Sequence, residues 1–72
     1  MTIEKIMETY SKDYDVMIDD GFNTWLPSGN DEWEASDEFG WTCSNKQVNE
    51  AGIKDIKVLP EKIVIVKVEK EL

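Results

Sequence analysis

The stretch EKIVIVKVEK, residues 61–70, decides how the chain folds. Ile63-Val64-Ile65-Val66 is its longest run of consecutive aliphatic residues, and β-branched side chains in a row suit a pleated surface better than a helix. Successive strand residues point to opposite faces, so the run is apolar both ways and reads as a central strand covered on each side. Left uncovered it would template aggregation, and Lys62, Lys67, Glu69 and Lys70 flank it as charged gatekeepers.

Working outward, residues 53–59 and 62–69 read as two strands around a turn at Pro60-Glu61. A two-residue loop there sets Val58 opposite Ile63 and Ile56 opposite Ile65. Ser44-Asn45-Lys46-Gln47 matches a capping box and Gly52 is a natural C′ residue, which predicts a two-turn helix over 45–51 that offers Val48 and Ala51 to the core. At the other end, Ile3, Ile6, Met7 and Tyr10 recur at i, i+3, i+4 and i+7. That spacing is one face of a helix over about 2–11, packed on a sheet.

From Asp13 the period changes to two. Tyr14, Val16 and Ile18 face one way and Asp13, Asp15 and Asp19 the other, with Met17 among them. Asp20-Gly21 signals a short loop, so Phe22 to Leu26 should return as the partner strand. A two-residue loop puts Phe22 opposite Asp19 and a three-residue loop puts Trp25 opposite Met17, and either leaves an aromatic on the acidic face. Pro27-Ser28-Gly29-Asn30 reads as a loop. Beyond it, Trp33, Ala35, Phe39, Trp41 and Cys43 alternate with polar residues, Asp37 being the exception that marks a turn. Two short strands are expected, over about 32–36 and 39–43, with Trp33, Phe39 and Trp41 facing the core. A single domain of the α+β class follows: a mostly antiparallel sheet of about four to six short strands with an N-terminal helix and a short second one.

Seventy-two residues form one domain at most, near the size where a single core barely balances chain entropy. A deep, enclosed active site is not expected. All eight basic residues are lysines, with no arginine and no histidine. Ser–His and Cys–His catalysis and zinc ligation therefore lack their residues, and the lone Cys43 has no neighbouring cation to activate it. A calcium loop at Asp13, Asp15, Asp19, Asp20 and Gly21 fails the EF-hand spacing, since Met17 and Thr24 stand where oxygen ligands are required. The four glycines match no nucleotide-binding spacing. The expectation is a non-enzyme without metal or cofactor. A single cysteine and no secretory or membrane-spanning stretch suit the cytoplasm.

The net charge is −8, and it is not evenly spread. Residues 1–12 balance, and 46–72 carry a slight positive excess. Between them, Asp13, Asp15, Asp19, Asp20, Asp31, Glu32, Glu34, Asp37 and Glu38 meet no base. Carboxylates two apart on a strand are ~6.6 Å from each other, close to every second phosphate of a nucleic-acid strand, which advances ~3.4 Å per step. Asp13, Asp15 and Asp19 beside Glu32, Glu34 and Glu38, with Met17 and Phe22 as apolar contacts, are the candidate partner-binding residues. Direct nucleic-acid binding is disfavoured by repulsion; the fitting partner is the basic surface of a nucleic-acid-binding protein. In size and charge pattern the chain is similar to many phage-encoded inhibitors of restriction or CRISPR nucleases and of host polymerases, although no motif carries that likeness. The rival expectation is a homo-oligomeric accessory domain associating through its sheet.

Overall fold

The computed structural model describes residues 1–72. Helix α1 (Ile3–Tyr10) leads into β1 (Asp15–Asp19), β2 (Thr24–Gly29), β3 (Glu32–Ala35) and β4 (Thr42–Ser44); helix α2 (Asn45–Ala51), β5 (Ile53–Leu59) and β6 (Ile63–Val68) follow. The strands form one six-stranded sheet in the order β4-β3-β2-β1-β6-β5. Every pairing is antiparallel except β1 with β6. β1 to β4 form a meander, α2 carries the chain back across the sheet, and the β5–β6 hairpin slots β6 in beside β1. This is a small α+β domain, as the periodicities predict.

Both helices start on side-chain acceptors. The Thr2 hydroxyl accepts from Lys5 N–H at 3.3 Å, while Asn49 Oδ1, from α2, accepts from Ile3 N–H at 2.8 Å. The start of α1 is thereby tied to the C-terminal turn of α2. At α2 the expected capping box is present: Ser44 Oγ accepts from Gln47 N–H at 3.2 Å, and Gln47 Oε1 accepts from Ser44 N–H at 2.8 Å. Together these satisfy amide groups that a helix end leaves without partners.

Ile3, Ile6, Val48 and Ala51 from the helices bury against Val16, Ile18, Trp25, Trp33, Ala35, Cys43, Val64, Val66 and Val68 of the sheet. Both helices therefore cover one face only. Ile63 and Ile65 are half-buried on the other side, so β6 is interior but not covered on each side as the run IVIV suggests.

Several registers differ from expectation, each for a local reason. The β1–β2 connection is four residues, with Asp19 opposite Thr24 and Ile18 opposite Trp25. Asp20 sets this length, because its Oδ1 accepts from both Phe22 N–H and Asn23 N–H. Trp25 thus turns into the core, and no aromatic sits on the acidic side of this hairpin. Pro27 to Gly29 belong to β2 rather than to a loop. Two steps past Ile18–Trp25 the register would set Val16 against Pro27, which has no N–H to give, and the ladder does not reach it. In the C-terminal hairpin the loop is three residues, so Leu59 faces Ile63 and Val58 faces Val64, one step from the expected pairs. Lys62 makes the third loop residue possible by taking a left-handed φ of 65°.

The largest correction concerns the aromatics. β3 ends at Ala35 and β4 starts at Thr42, with bends and turns between, so Phe39 and Trp41 stand outside the ladder. Phe39 is fully exposed and Trp41 half-exposed, whereas Trp33 is buried as expected.

Candidate functional site

The sheet face turned away from the helices is the candidate. Pairing and alternation place Asp15, Met17 and Asp19 of β1 on it, with Thr24 and Leu26 of β2 and Glu32, Glu34 and Thr42 from β3 and β4. On the other side of β1 it continues into Ile63, Ile65 and Lys67 of β6 and Asp55, Lys57 and Leu59 of β5.

Five of the eight predicted contact residues meet there: Asp15, Met17, Asp19, Glu32 and Glu34. They form two acidic rows on β1 and β3 separated by β2, about 10 Å apart at ordinary strand spacing. Leu26 lies in the strip between the rows. It escaped notice in the sequence because it faces outward only in the register that buries Trp25. The other three residues lie elsewhere. Asp13 is in the turn before β1, at one end of the sheet; Phe22 and Glu38 occupy loops at the opposite end.

Electrostatically the face has two halves. The β1–β4 half holds Asp15, Asp19, Glu32 and Glu34 with no lysine, while the β5–β6 half mixes Lys57 and Lys67 with Asp55. Lys67 sits in register between Asp19 and Asp55. The structure's one ion pair is Lys5–Glu8 at 3.8 Å on α1, so none of the face's carboxylates is closed off by a cation.

Where β1 and β2 part after Trp25, a groove of about 440 Å³ opens, lined by Met7, Tyr14, Met17, Leu26 and Pro27 with Asp15 at its rim. A cleft of about 490 Å³ lies between the start of α1 and the β2–β3 hairpin, with Glu4, Asp31, Glu32 and Asn45 in its wall. Of these, the side chains of Glu4, Asp31 and Asn45 are already engaged. Glu4 accepts from Asn49 at 2.8 Å, the main reason its carboxyl is held below the ordinary range, and Asn45 accepts from Trp33 Nε1 and donates to Asp31.

Asp20, one of the nine acids of the middle segment, is buried. Besides the two loop amides, its Oδ2 accepts from Trp25 Nε1 at 3.1 Å and from Leu72 N–H at 2.9 Å. Burial pushes its carboxyl up, but the four hydrogen bonds outweigh that and leave it below the usual value of 3.8. Its role is to hold the hairpin loop, a core tryptophan and the C-terminus together. Cys43 is buried, and its thiol is pushed up to about 11, first by burial and then by the charges of Asp20 and Glu32. At neutral pH it stays protonated and unreactive. No three of the Asp, Glu and Cys side chains converge as metal ligands, and no helix is long and apolar enough to cross a membrane.

Compared with known proteins, the chain matches no family model, no curated protein and no solved structure.

Proposed function

We propose that the chain is a non-catalytic binding protein whose acidic open face docks on a basic surface of a nucleic-acid-handling protein, covering the site where nucleic acid would lie. One observation carries this reading. The β1–β4 half of the helix-free face presents Asp15, Asp19, Glu32 and Glu34 with no base and no ion pair among them. Keeping four like charges together on a small domain costs stability, and a cationic partner would convert that cost into attraction. The apolar strip of Met17 and Leu26 supplies contact area where charge alone would give little affinity.

The test begins with capture from lysate of the source cells at low salt, elution in salt steps, and identification of the captured proteins. The reading expects a nucleic-acid-binding protein that leaves at high salt and is displaced by its own DNA or RNA. A captured protein indifferent to both salt and nucleic acid overturns it. So does an Asp15→Lys, Glu34→Lys variant that holds the partner as tightly and with the same salt slope.

A second reading is self-association through the sheet. It is favoured by the half-buried Met17, Ile63, Ile65 and Leu59, which lie on the adjacent strands β1, β6 and β5 of an uncovered face. Sedimentation at two protein concentrations decides it: a salt-insensitive dimer supports this second reading over the first.

A further inference from the structure

Two loops project from one end of the sheet. Residues 20–23 join β1 to β2 and residues 36–41 join β3 to β4. They leave side by side, because Trp25 faces Ala35 in the β2–β3 ladder and Ser36 N–H donates to Thr24 O at 2.8 Å. All the exposed large aromatics of the chain lie in them: Phe22 at 73%, Phe39 at 101% and Trp41 at 54% exposure. The two tryptophans outside these loops, Trp25 and Trp33, are buried to 1% and 2%.

The longer loop holds its shape. Trp41 N–H donates to Glu38 O at 3.1 Å, Trp41 O accepts from Ala35 N–H at 3.0 Å, and Gly40 turns the chain with a φ of 86°. Trp41 is thus fixed at both its backbone groups while its ring points to water. Asp37 and Glu38 share the longer loop with Phe39 and Trp41, and Asp19 lies at the foot of the shorter one, all without an ion pair. Neither loop contains a base.

Aromatic faces and free carboxylates have one common partner among side chains. A guanidinium is planar and weakly hydrated, stacks on rings, and presents a fork of N–H groups that matches a carboxylate. An ammonium carries the same charge without the plane or the fork. We infer that this loop end is an arginine-recognition surface, in which Phe39 and Trp41, helped by Phe22, stack on guanidinium groups of the partner while Asp37 and Glu38 pair with them. The inference rests on the acid-face reading and narrows it: the docking partner offers arginine, and these loops anchor it.

The experiment compares nonapeptides of arginine and of lysine, titrated calorimetrically into the full chain at low and moderate salt. Trp41 fluorescence serves as a local report, since the other two tryptophans are shielded. The expected result is arginine binding tighter than lysine by about fivefold or more, the size of one or more ring contacts. Replacing Phe39→Ala and Trp41→Ala together should bring arginine down to the lysine level and leave lysine affinity unchanged. Asp37→Asn with Glu38→Gln provides a second route that spares the rings; it should weaken both peptides, arginine more. Equal affinity for the two peptides in the unaltered chain overturns the inference while leaving the acid-face reading standing. An arginine preference that survives loss of both rings also overturns it. If neither peptide binds at low salt, both ideas fall.

Discussion

The two faces of this sheet are built from the same strands, residue by residue in alternation, yet they obey different rules. On the helix-covered face every buried side-chain nitrogen and oxygen has a hydrogen-bond partner. The two core indoles show how: Trp25 donates to Asp20 and Trp33 to Asn45, at 3.1 and 2.6 Å, so each large ring brings its own polar answer. On the open face the carboxylates of Asp15, Glu32 and Glu34 stand in water with no cation against them. The lesson is a division of labour. One face supplies the free energy of folding and leaves no polar group unmet; the other carries charge that folding does not need.

That contrast can be broken at Asp20 first. Asp20→Ala removes the acceptor of four donors, including a buried indole N–H. A loss of about 3 kcal/mol or more in urea denaturation is expected, a large part of the stability of so small a domain. Asn45→Ala is the companion case, with fewer bonds lost and an expected loss of about 2 kcal/mol.

Acid sharpens the same point. The folded-state value of Asp20 lies below its ordinary 3.8, so its contribution is fully present above that pH and is lost as pH falls through the lower folded value. Stability followed from pH 5 to 2 should drop steeply at the bottom of the range. In Asp20→Asn, that part of the slope should disappear.

A change belonging to neither face tests the register that sorts them. Lys62 holds a left-handed conformation that L side chains adopt at a cost, so Lys62→Gly should stabilise by about 1 kcal/mol if the three-residue loop is right. A two-residue loop would make the same change neutral or harmful. The smallest effect belongs to the open face. Asp15→Lys with Glu34→Lys should raise stability by about 0.5 kcal/mol at low salt, fading as ionic strength rises, because only exposed repulsion is removed. A loss of stability would show that those carboxylates hold the fold together after all.

Much of this architecture is legible in the chain. The helical spacing of Ile3, Ile6, Met7 and Tyr10, the Ser44–Gln47 box and the run Ile63–Val66 name their elements because each signal is local. Alternation alone puts Asp15, Glu32 and Glu34 on one side. What alternation cannot convey is where a ladder stops. The odd-position pattern from Trp33 runs on through Phe39 and Trp41, but pairing ends at Ala35 and the backbone turns at Gly40, so two rings assigned to the core face water instead. Asp37, the one break in the pattern, was the available signal. Loop lengths were hidden for a related reason: they depend on Asp20 folding back on its own amides and on Lys62 accepting an unfavourable φ. Asp20 also shows that an acid in an acidic segment need not belong to its surface.

The single parallel pairing, β1 beside β6, has a consequence for how the chain comes into being. Val16 and Val64 are neighbours in the sheet although 47 of the 72 residues lie between them. The β1–β4 meander rests on pairings local in sequence, whereas the second neighbour of β1 is distant along the chain. Such distant closure is slow compared with hairpin formation and leaves a bare strand edge in the interval. Until that closure Asp15 and Asp19 lie along the bare edge, and their charge deters another chain from adding a strand there.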